Sequence, residues 1–449
     1  MIRTAESSGA APKTLGERFM QVKISRKTLI YFQVVYVLII LWLNDVLGLP
    51  GSTLYVTDIV TVAALLSCPR GSWSRLHRLG TSALISVFAV FCIVLFLGDV
   101  AHAVKPTLVL WGIRNTFRFF FFGYACASIL NREDIDCFFH LFFWFQVLNL
   151  GISIVQYAMG FDGDHLGGIF GTVTGCNGYT NVFFCILLAY YSLAFVDGRE
   201  GLWKFVFVAA STLVIAALAE LKLFYFEAAA IVIFAVVCRV NKPRSVLLLL
   251  VALVAFFIAL QVFSVVFPSA YQMLTNFDEL MGYSTDNTGA VVGYNISRIN
   301  AFSDINQFIF HGNLSLNLFG VGFGNAGYSQ YSIFTSAFYG VYGYLNYLFF
   351  TTQTWFIETG YVGFGLLITQ FVALCVYCGR WAKRLPEESF YFRLVQIVAI
   401  MTILCFWYNQ TLRVEAAYLT FLVLSTPFIV VKNSMFGKGG SSHGIERTR

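Results

Sequence analysis

Arg114 and Arg118 lie inside an apolar run, LWGIRNTFRFF, where charge is costly. An ionisable side chain at the centre of a bilayer costs about 3 kcal/mol or more, so its presence asks for a reason. The two arginines are four residues apart and share one helix face. Two guanidiniums on one buried face repel each other unless an anion joins them. Arginine grips phosphate with a bidentate fork, so one reading is an anion site. The other is a pair of internal salt bridges, to Glu220 or Glu227. A second group is Glu220, Lys222 and Glu227, with the two glutamates seven apart on one helix face. It reads as an ion-paired helix start or as a carboxylate offered to a substrate. A third group, Arg298, Asp304 and His311, lies in a long connector. His165 and His311 lack the spacing of a metal-binding pair. Cys375 and Cys378 form a CxxC within an apolar run, with no second pair, and read as packed small residues. The spacing therefore calls for no metal and no cofactor.

The elements that must position these groups are membrane helices. The chain has 449 residues, 58% hydrophobic and 12% charged, against about a quarter charged in soluble domains. Lipid is the natural solvent for such a chain. A net charge of +6 is spread over short loops and tails, with no basic stripe of the kind that binds nucleic acid. A span needs roughly 20 apolar residues. Segments near 29–48, 52–68, 81–99, 107–129, 137–159, 177–196, 203–219, 221–238, 246–266, 351–378, 390–408 and 415–431 qualify. The expectation is an all-α polytopic membrane protein of about twelve spans. Residues 1–28 and 432–449 are its tails, 29–266 the first nine spans, 267–350 a large loop before the third-last span, and 351–431 the last three.

Lys and Arg concentrate in alternate loops: Arg70, Arg75 and Arg78; Arg132; Arg199 and Lys204; Arg239, Lys242 and Arg244; Arg380, Lys383 and Arg384. Lys13, Arg18, Lys23, Arg26 and Lys27 precede the first span, and Lys432 and Lys438 follow the last. The intervening loops carry little beyond Lys105, Lys222, Arg298 and Arg413. The positive-inside rule then puts both termini in the cytoplasm.

Three segments stand out on the opposite side: 160–178, acidic at Asp162 and Asp164; 267–350; and the turn 409–415, NQTLRVE. A loop as long as 267–350 is usually functional or disordered. Its aromatic content predicts order, with short helices around 296–310 and 327–347. Gly320, Gly322 and Gly324 read as a tight turn with close backbone approach, not as a dinucleotide motif, because no strand–turn–helix unit surrounds them. Tyr328, Tyr331, Phe334, Phe338, Tyr339, Tyr342, Tyr344 and Tyr347 follow, either a membrane-interface belt or rings that stack on sugars. Asn295 and Asn313 head Asn-x-Ser patterns, which matter only in a eukaryotic secretory pathway.

In this order the segments resemble the bacterial O-antigen polymerase and ligase superfamily, the Wzy-type polymerases and their ligase relatives. The matching pieces are LWGIRNTFRFF, GIFGTVTG, LAELKLFYFE, SRINAFSDINQF, LFGVGFGNAGY and FIETGYVGFGLL, over roughly residues 105–370. Each is weak alone; their order and spacing carry the resemblance. It implies a GT-C-like, metal-independent glycosyltransferase at the outer face of the inner membrane. Such an enzyme joins glycan repeat units from undecaprenyl-pyrophosphate carriers into O-antigen, capsule or exopolysaccharide, with a chain-length regulator and a flippase as possible partners. Arg114 and Arg298 match the family's essential arginines, and Glu358 matches the acid of an E-x-G-x-x-G segment with Gly360 and Gly363. In that family ligases carry a His-Asn pair about nine residues before that acid; here the region, Phe349 to Thr354, reads FFTTQT with no histidine, which favours a polymerase.

The reaction needs positive charge preorganised for a pyrophosphate leaving group. The candidates are Arg114, Arg118 and Arg298 with Lys222, and Arg413 as a further substrate contact. A base for the acceptor hydroxyl comes from Glu220, Asp304, Glu358 or Asp164, and the sequence does not choose among them. A ligase, a transporter of lipid-linked oligosaccharide, and a non-enzymatic scaffold remain the alternatives.

Overall fold

The structure is a computed structural model that describes residues 25–239, 242–266, 268–276, 278, 282 and 296–436. Asn295, Lys438 and the basic residues of the N-terminal tail through Lys23 lie outside the described residues.

Every regular element among the described residues is helical. The first half holds α1 (Arg26–Leu47), α2 (Val56–Leu66), α3 (Ser72–Arg78), α4 (Ser82–Ala101), α5 (Pro106–Ile129) and α6 (Arg132–Ala158). There follow α7 (Asn177–Asp197), α8 (Leu202–Leu218), α9 (Lys222–Cys238), α10 (Pro243–Val266) and α11 (Pro268–Thr275). The second half holds α12 (Ala301–Ile305), α13 (Leu314–Phe319), α14 (Ala337–Tyr342), α15 (Thr351–Arg384), α16 (Ser389–Cys405), α17 (Ala417–Leu424) and α18 (Thr426–Phe436). Local chemistry marks the ends. Proline opens α5, α10 and α11, where its missing N–H costs nothing. Asn131 and Asp134 form a capping box on α6. Gly48 and Gly198 close α1 and α7 in the left-handed conformation that glycine adopts freely.

Seven helices among the described residues are long and apolar enough to cross a membrane. Their outer surfaces carry large apolar side chains in the open, such as Phe96 and Leu97 on α4. A helical membrane protein accounts for both observations. Helix α7 is different: 94% of its apolar window is buried, and it contacts α8, α9, α16 and α17 as the central post of the bundle.

The span expected over 351–378 is longer and broken. Gly360 (φ 60°, ψ −165°) interrupts α15, so residues before it form a separate short helix. The break makes room for a neighbour. A Cβ on Gly360 would stand 2.4 Å from the Leu318 carbonyl carbon, and one on Gly320 would stand 2.3 Å from that of Glu358. Across this approach Val321 N–H donates to the Ile357 carbonyl at 2.8 Å and Gly322 N–H to that of Glu358 at 3.1 Å. The glycines of LFGVGFG do what the sequence reading assigned them.

Polar groups collect at the two ends of the bundle. At one end lie the cations of the Lys/Arg-rich loops, in the pairs Lys27–Asp134 (2.7 Å), Arg132–Glu388 (2.9 Å) and Arg239–Asp197 (2.8 Å). Lys432 donates there to the carbonyls of Ala127 (2.7 Å), Ser128 (3.1 Å) and Leu130 (2.7 Å), closing the C-terminal end of α5. The other end carries the 296–350 segment. Within it, 301–310 is helical with its last five residues in π geometry, and 327–347 holds α14 with short 3-10 turns of helix at Ser332–Phe334, Gly343–Leu345 and, at its end, Tyr347–Phe349, so short helices form in both stretches where they are expected.

Candidate functional site

At the end bearing the 296–350 segment, three charged constellations meet around the turn 406–416, which joins α16 to α17. The first surrounds the arginines of α5. Arg114 donates through Nε (2.8 Å) and Nη2 (2.7 Å) to Asp58 Oδ2 in the first turn of α2. Arg118 Nη1 lies 3.4 Å from Asp58 Oδ1, and its Nη2 donates to Glu415 Oε1 at 2.9 Å. Tyr179 donates to the other Glu415 oxygen at 3.2 Å. The internal partners expected, Glu220 and Glu227, are therefore replaced by Asp58 and Glu415. The reason is packing: α2 and α17 lie against α5, whereas Glu220 and Glu227 belong to the α8–α9 corner. Arg118 is buried, with Nε unpartnered among the described residues. Arg114 is about one quarter exposed (24%) and stacks on Tyr55 (4.8 Å) and Trp111 (5.0 Å).

The second constellation joins Arg413 to Glu358. Arg413 Nη1 donates to Glu358 Oε1 at 3.2 Å and Nη2 to the other oxygen, a bidentate pair. Glu358 is 0% exposed and the Arg413 side chain 9%. The guanidinium also faces Trp355 (5.4 Å) and Phe323 (5.8 Å). Phe323 belongs to the glycine segment, and its N–H donates to Asp99 Oδ1 at 2.6 Å. The third holds Arg298, whose guanidinium lies 5.3 Å from the Phe350 ring and 4.9 Å from that of Tyr408. The backbone just before it is clamped from two directions. Asp304 Oδ2 accepts from Ser297 N–H at 2.9 Å, and Gln353 donates to the carbonyls of Ile296 (3.1 Å) and Ser297 (3.3 Å). Asp304 is buried, so it shapes the loop of Arg298 rather than facing solvent.

Asp164, Glu220 and Lys222 form a neighbouring acidic corner. Asn177 donates to Asp164 Oδ1 at 2.8 Å and to the Ala219 carbonyl at 3.3 Å, which binds the two loops together. Glu220 is a left-handed residue (φ 50°) in the bend between α8 and α9, 3.8 Å from Lys222 and 35% exposed. Glu220 and Glu227 do not share a face, because that bend separates them: Glu227 is buried within α9, among thiols. His165 and His311 each lie beside a backbone carbonyl, of Thr172 (3.1 Å) and Gln307 (3.2 Å), and are far apart in the chain. Asn313 caps α13 through Ser315 N–H at 2.9 Å.

Sequence reasoning missed Asp58, Asp99, Gln353 and Glu415. Asp58 and Asp99 carried the same signal as Arg114, an ionisable group within an apolar run. Gln353 lies in the FFTTQT segment noted for lacking histidine. Outside the spans, Cys176 is buried beside Asp45 and Asp164, and burial first, then both carboxylates, push its thiol up to about 12. No protein-family model matches the chain, and no curated protein matches it.

Proposed function

We propose that the chain is a polyprenyl-pyrophosphate-dependent glycosyltransferase of the Wzy polymerase type, with about twelve spans in a GT-C-like arrangement in a bacterial inner membrane. The observation that carries the proposal is the set of three constellations on one turn, 406–416, beside a folded loop rich in tyrosine. The chemistry asks for cations held in place before the leaving group develops charge. Buried pairs such as Arg118–Glu415 and Arg413–Glu358 fix the frame. Arg114, partly exposed and already forked toward an oxyanion of Asp58, and Arg298, on its clamped loop, take the pyrophosphate in this reading. Of the four candidate bases, Glu358 and Asp304 are committed to structural partners. Glu220 and the exposed Asp164 are the ones an acceptor hydroxyl can reach. Gln353, in the FFTTQT segment, spends its amide on the Arg298 loop, and the lack of a histidine in that segment favours the polymerase over the ligase.

The test is a glycan gel from a deletion strain complemented with wild-type, Arg114→Ala or Arg298→Ala genes. Wild type restores a ladder of repeat lengths. Both variants reach the membrane and leave single repeat units. Full ladders from both variants overturn the assignment. Unattached long polymer in the deletion strain identifies a ligase, and lipid-linked units stranded at the cytoplasmic face identify a transporter.

A further inference from the structure

Glu227, Cys185 and Cys405 come from α9, α7 and the last residue of α16, and their ligand atoms lie within 4.8 Å of one another. Cys405 Sγ is 2.9 Å from Glu227 Oε1 and Cys185 Sγ is 3.4 Å from Oε2. All three side chains are buried, and among the described residues no Lys or Arg pairs with Glu227. A buried carboxylate without a cation is expensive unless a proton or an ion neutralises it. A fourth donor lies beside the group and reaches it by a half-turn of its amide, whose nitrogen now faces Cys405. Asn181, one helical turn before Cys185 on α7, is wholly buried, and its Oδ1 has no hydrogen-bond partner among the described residues. The Asn181 amide nitrogen lies 3.7 Å from Cys405 Sγ. Beside the thiols a void of about 10 Å³ is bounded by Cys185, Cys405, Thr411 and Thr420.

The geometry points to a structural site for one divalent ion of the zinc class, held by Cys185, Cys405, Glu227 and the Asn181 carbonyl. The donor set is two sulfurs and two oxygens, which suits a tetrahedral ion with no redox role. Thiolates bound at about 2.3 Å to such an ion stand about 3.8 Å apart, so the present separation closes with side-chain movement alone. Binding exchanges the two thiol protons for the dication: both protons leave to solvent, the ion balances the two thiolates, and the single negative charge of the Glu227 carboxylate remains, now held directly against the metal. Cys405 is the residue before the turn that carries Arg413 and Glu415, so the ion pins that turn to α7 and α9. The inference goes beyond the glycosyltransferase reading and does not depend on it.

The test uses the full-length chain, reduced, stripped with chelator in detergent and dialysed against Zn²⁺, with the metal counted by mass spectrometry. One ion per chain is expected in wild type and in the Cys375→Ser/Cys378→Ser control, and none in Cys185→Ser/Cys405→Ser. Should that last variant not fold, Co²⁺ loaded into wild type decides. A thiolate-to-cobalt charge-transfer band with tetrahedral visible bands supports the site, and its absence overturns it. Wild type without bound ion, an ion count that survives the double substitution, or a Cys185–Cys405 disulfide in a non-reducing peptide map likewise overturns it.

Discussion

Breaking the Arg413–Glu358 pair tests whether the turn 406–416 is held by electrostatics. Glu358→Gln keeps the shape of the side chain and removes its charge. Arg413 then remains nearly buried, facing two aromatic rings and no anion. Removing one partner of a buried pair costs about 3–5 kcal/mol, because the other charge is left uncompensated. Each ring returns about 0.5–2 kcal/mol, which places the expected loss near the lower end, about 3 kcal/mol. Arg413→Met leaves the Glu358 carboxylate with no compensation and is expected at the upper end, about 5 kcal/mol. The double variant removes both charges. It forfeits the ring contacts and some packing, for a loss of about 2 kcal/mol. The double-mutant cycle therefore shows a coupling of about 6 kcal/mol, above the roughly 3 kcal/mol that contacting residues usually reach. The assay is equilibrium unfolding in mixed micelles, followed by tryptophan fluorescence, since Trp355 faces the pair. Single variants within about 1 kcal/mol of wild type, or a double variant equal to the sum of the singles, would falsify the claim that the pair is charged and mutually compensating.

Gly324→Ala puts a methyl 2.3 Å from the Leu108 carbonyl oxygen at a residue with φ +79°, so thermal stability in detergent drops by more than about 2 kcal/mol. Gly340→Ala, which meets nothing within 4 Å, leaves it unchanged. Gln353→Ala and Asp304→Asn loosen the Arg298 loop. Asp304→Asn weakens one carboxylate hydrogen bond of about 1.5–3 kcal/mol and Gln353→Ala removes two neutral ones of about 0.5–1.5 kcal/mol each, so each is expected to cut polymer yield about 10- to 100-fold while membrane levels stay constant. An unchanged ladder in both would detach Arg298 from the reaction. At pH 8 a water-soluble alkylating reagent modifies the exposed Cys137 and spares Cys176, as peptide mapping will read. The raised Cys176 thiol also fixes a sign. Its protonated form is favoured in the fold, so its stabilising contribution is full below pH 9 and is lost as pH climbs toward about 12. Cys176→Ser should flatten the alkaline limb of the stability profile, and an identical limb in the variant would refute the assignment.

Much of this architecture can be read from the chain because lipid imposes one rule on all of it. Apolar runs must be helices, and a charge within a run must answer to something. That rule singles out Arg114 and Arg118, and it applies equally to Asp58 and Asp99, which a reading drawn to basic pairs passes over. The glycine turn is legible because three glycines at alternate positions mark a backbone that repeatedly takes positive φ, which few other residues admit. Partner choice is not legible. Whether Arg118 meets Glu220 or Glu415 depends on which helices touch, and hydropathy says nothing about neighbours. The Cys185–Glu227–Cys405 group is hidden for the same reason, since its members are 42 and 178 residues apart and no spacing motif survives such gaps. Gln353 looks like filler in FFTTQT until the Arg298 loop folds back on it.

The bonds around α5 also impose an order on biogenesis. In the proposed twelve-span arrangement α5 crosses the bilayer, and its two arginines weigh against insertion, each by about 2.5–3.5 kcal/mol at mid-span. Asp58 has already been synthesised, 56 and 60 residues earlier, when Arg114 and Arg118 leave the ribosome. Glu415 comes 297 residues later. In that proposed arrangement, Asp58 is therefore expected to pair with the arginines as α5 enters the bilayer, and Glu415 to join them only when the last helices arrive. Loss of Asp58 should appear as a topology defect during synthesis. Loss of Glu415 should yield a chain that inserts normally and then fails to mature.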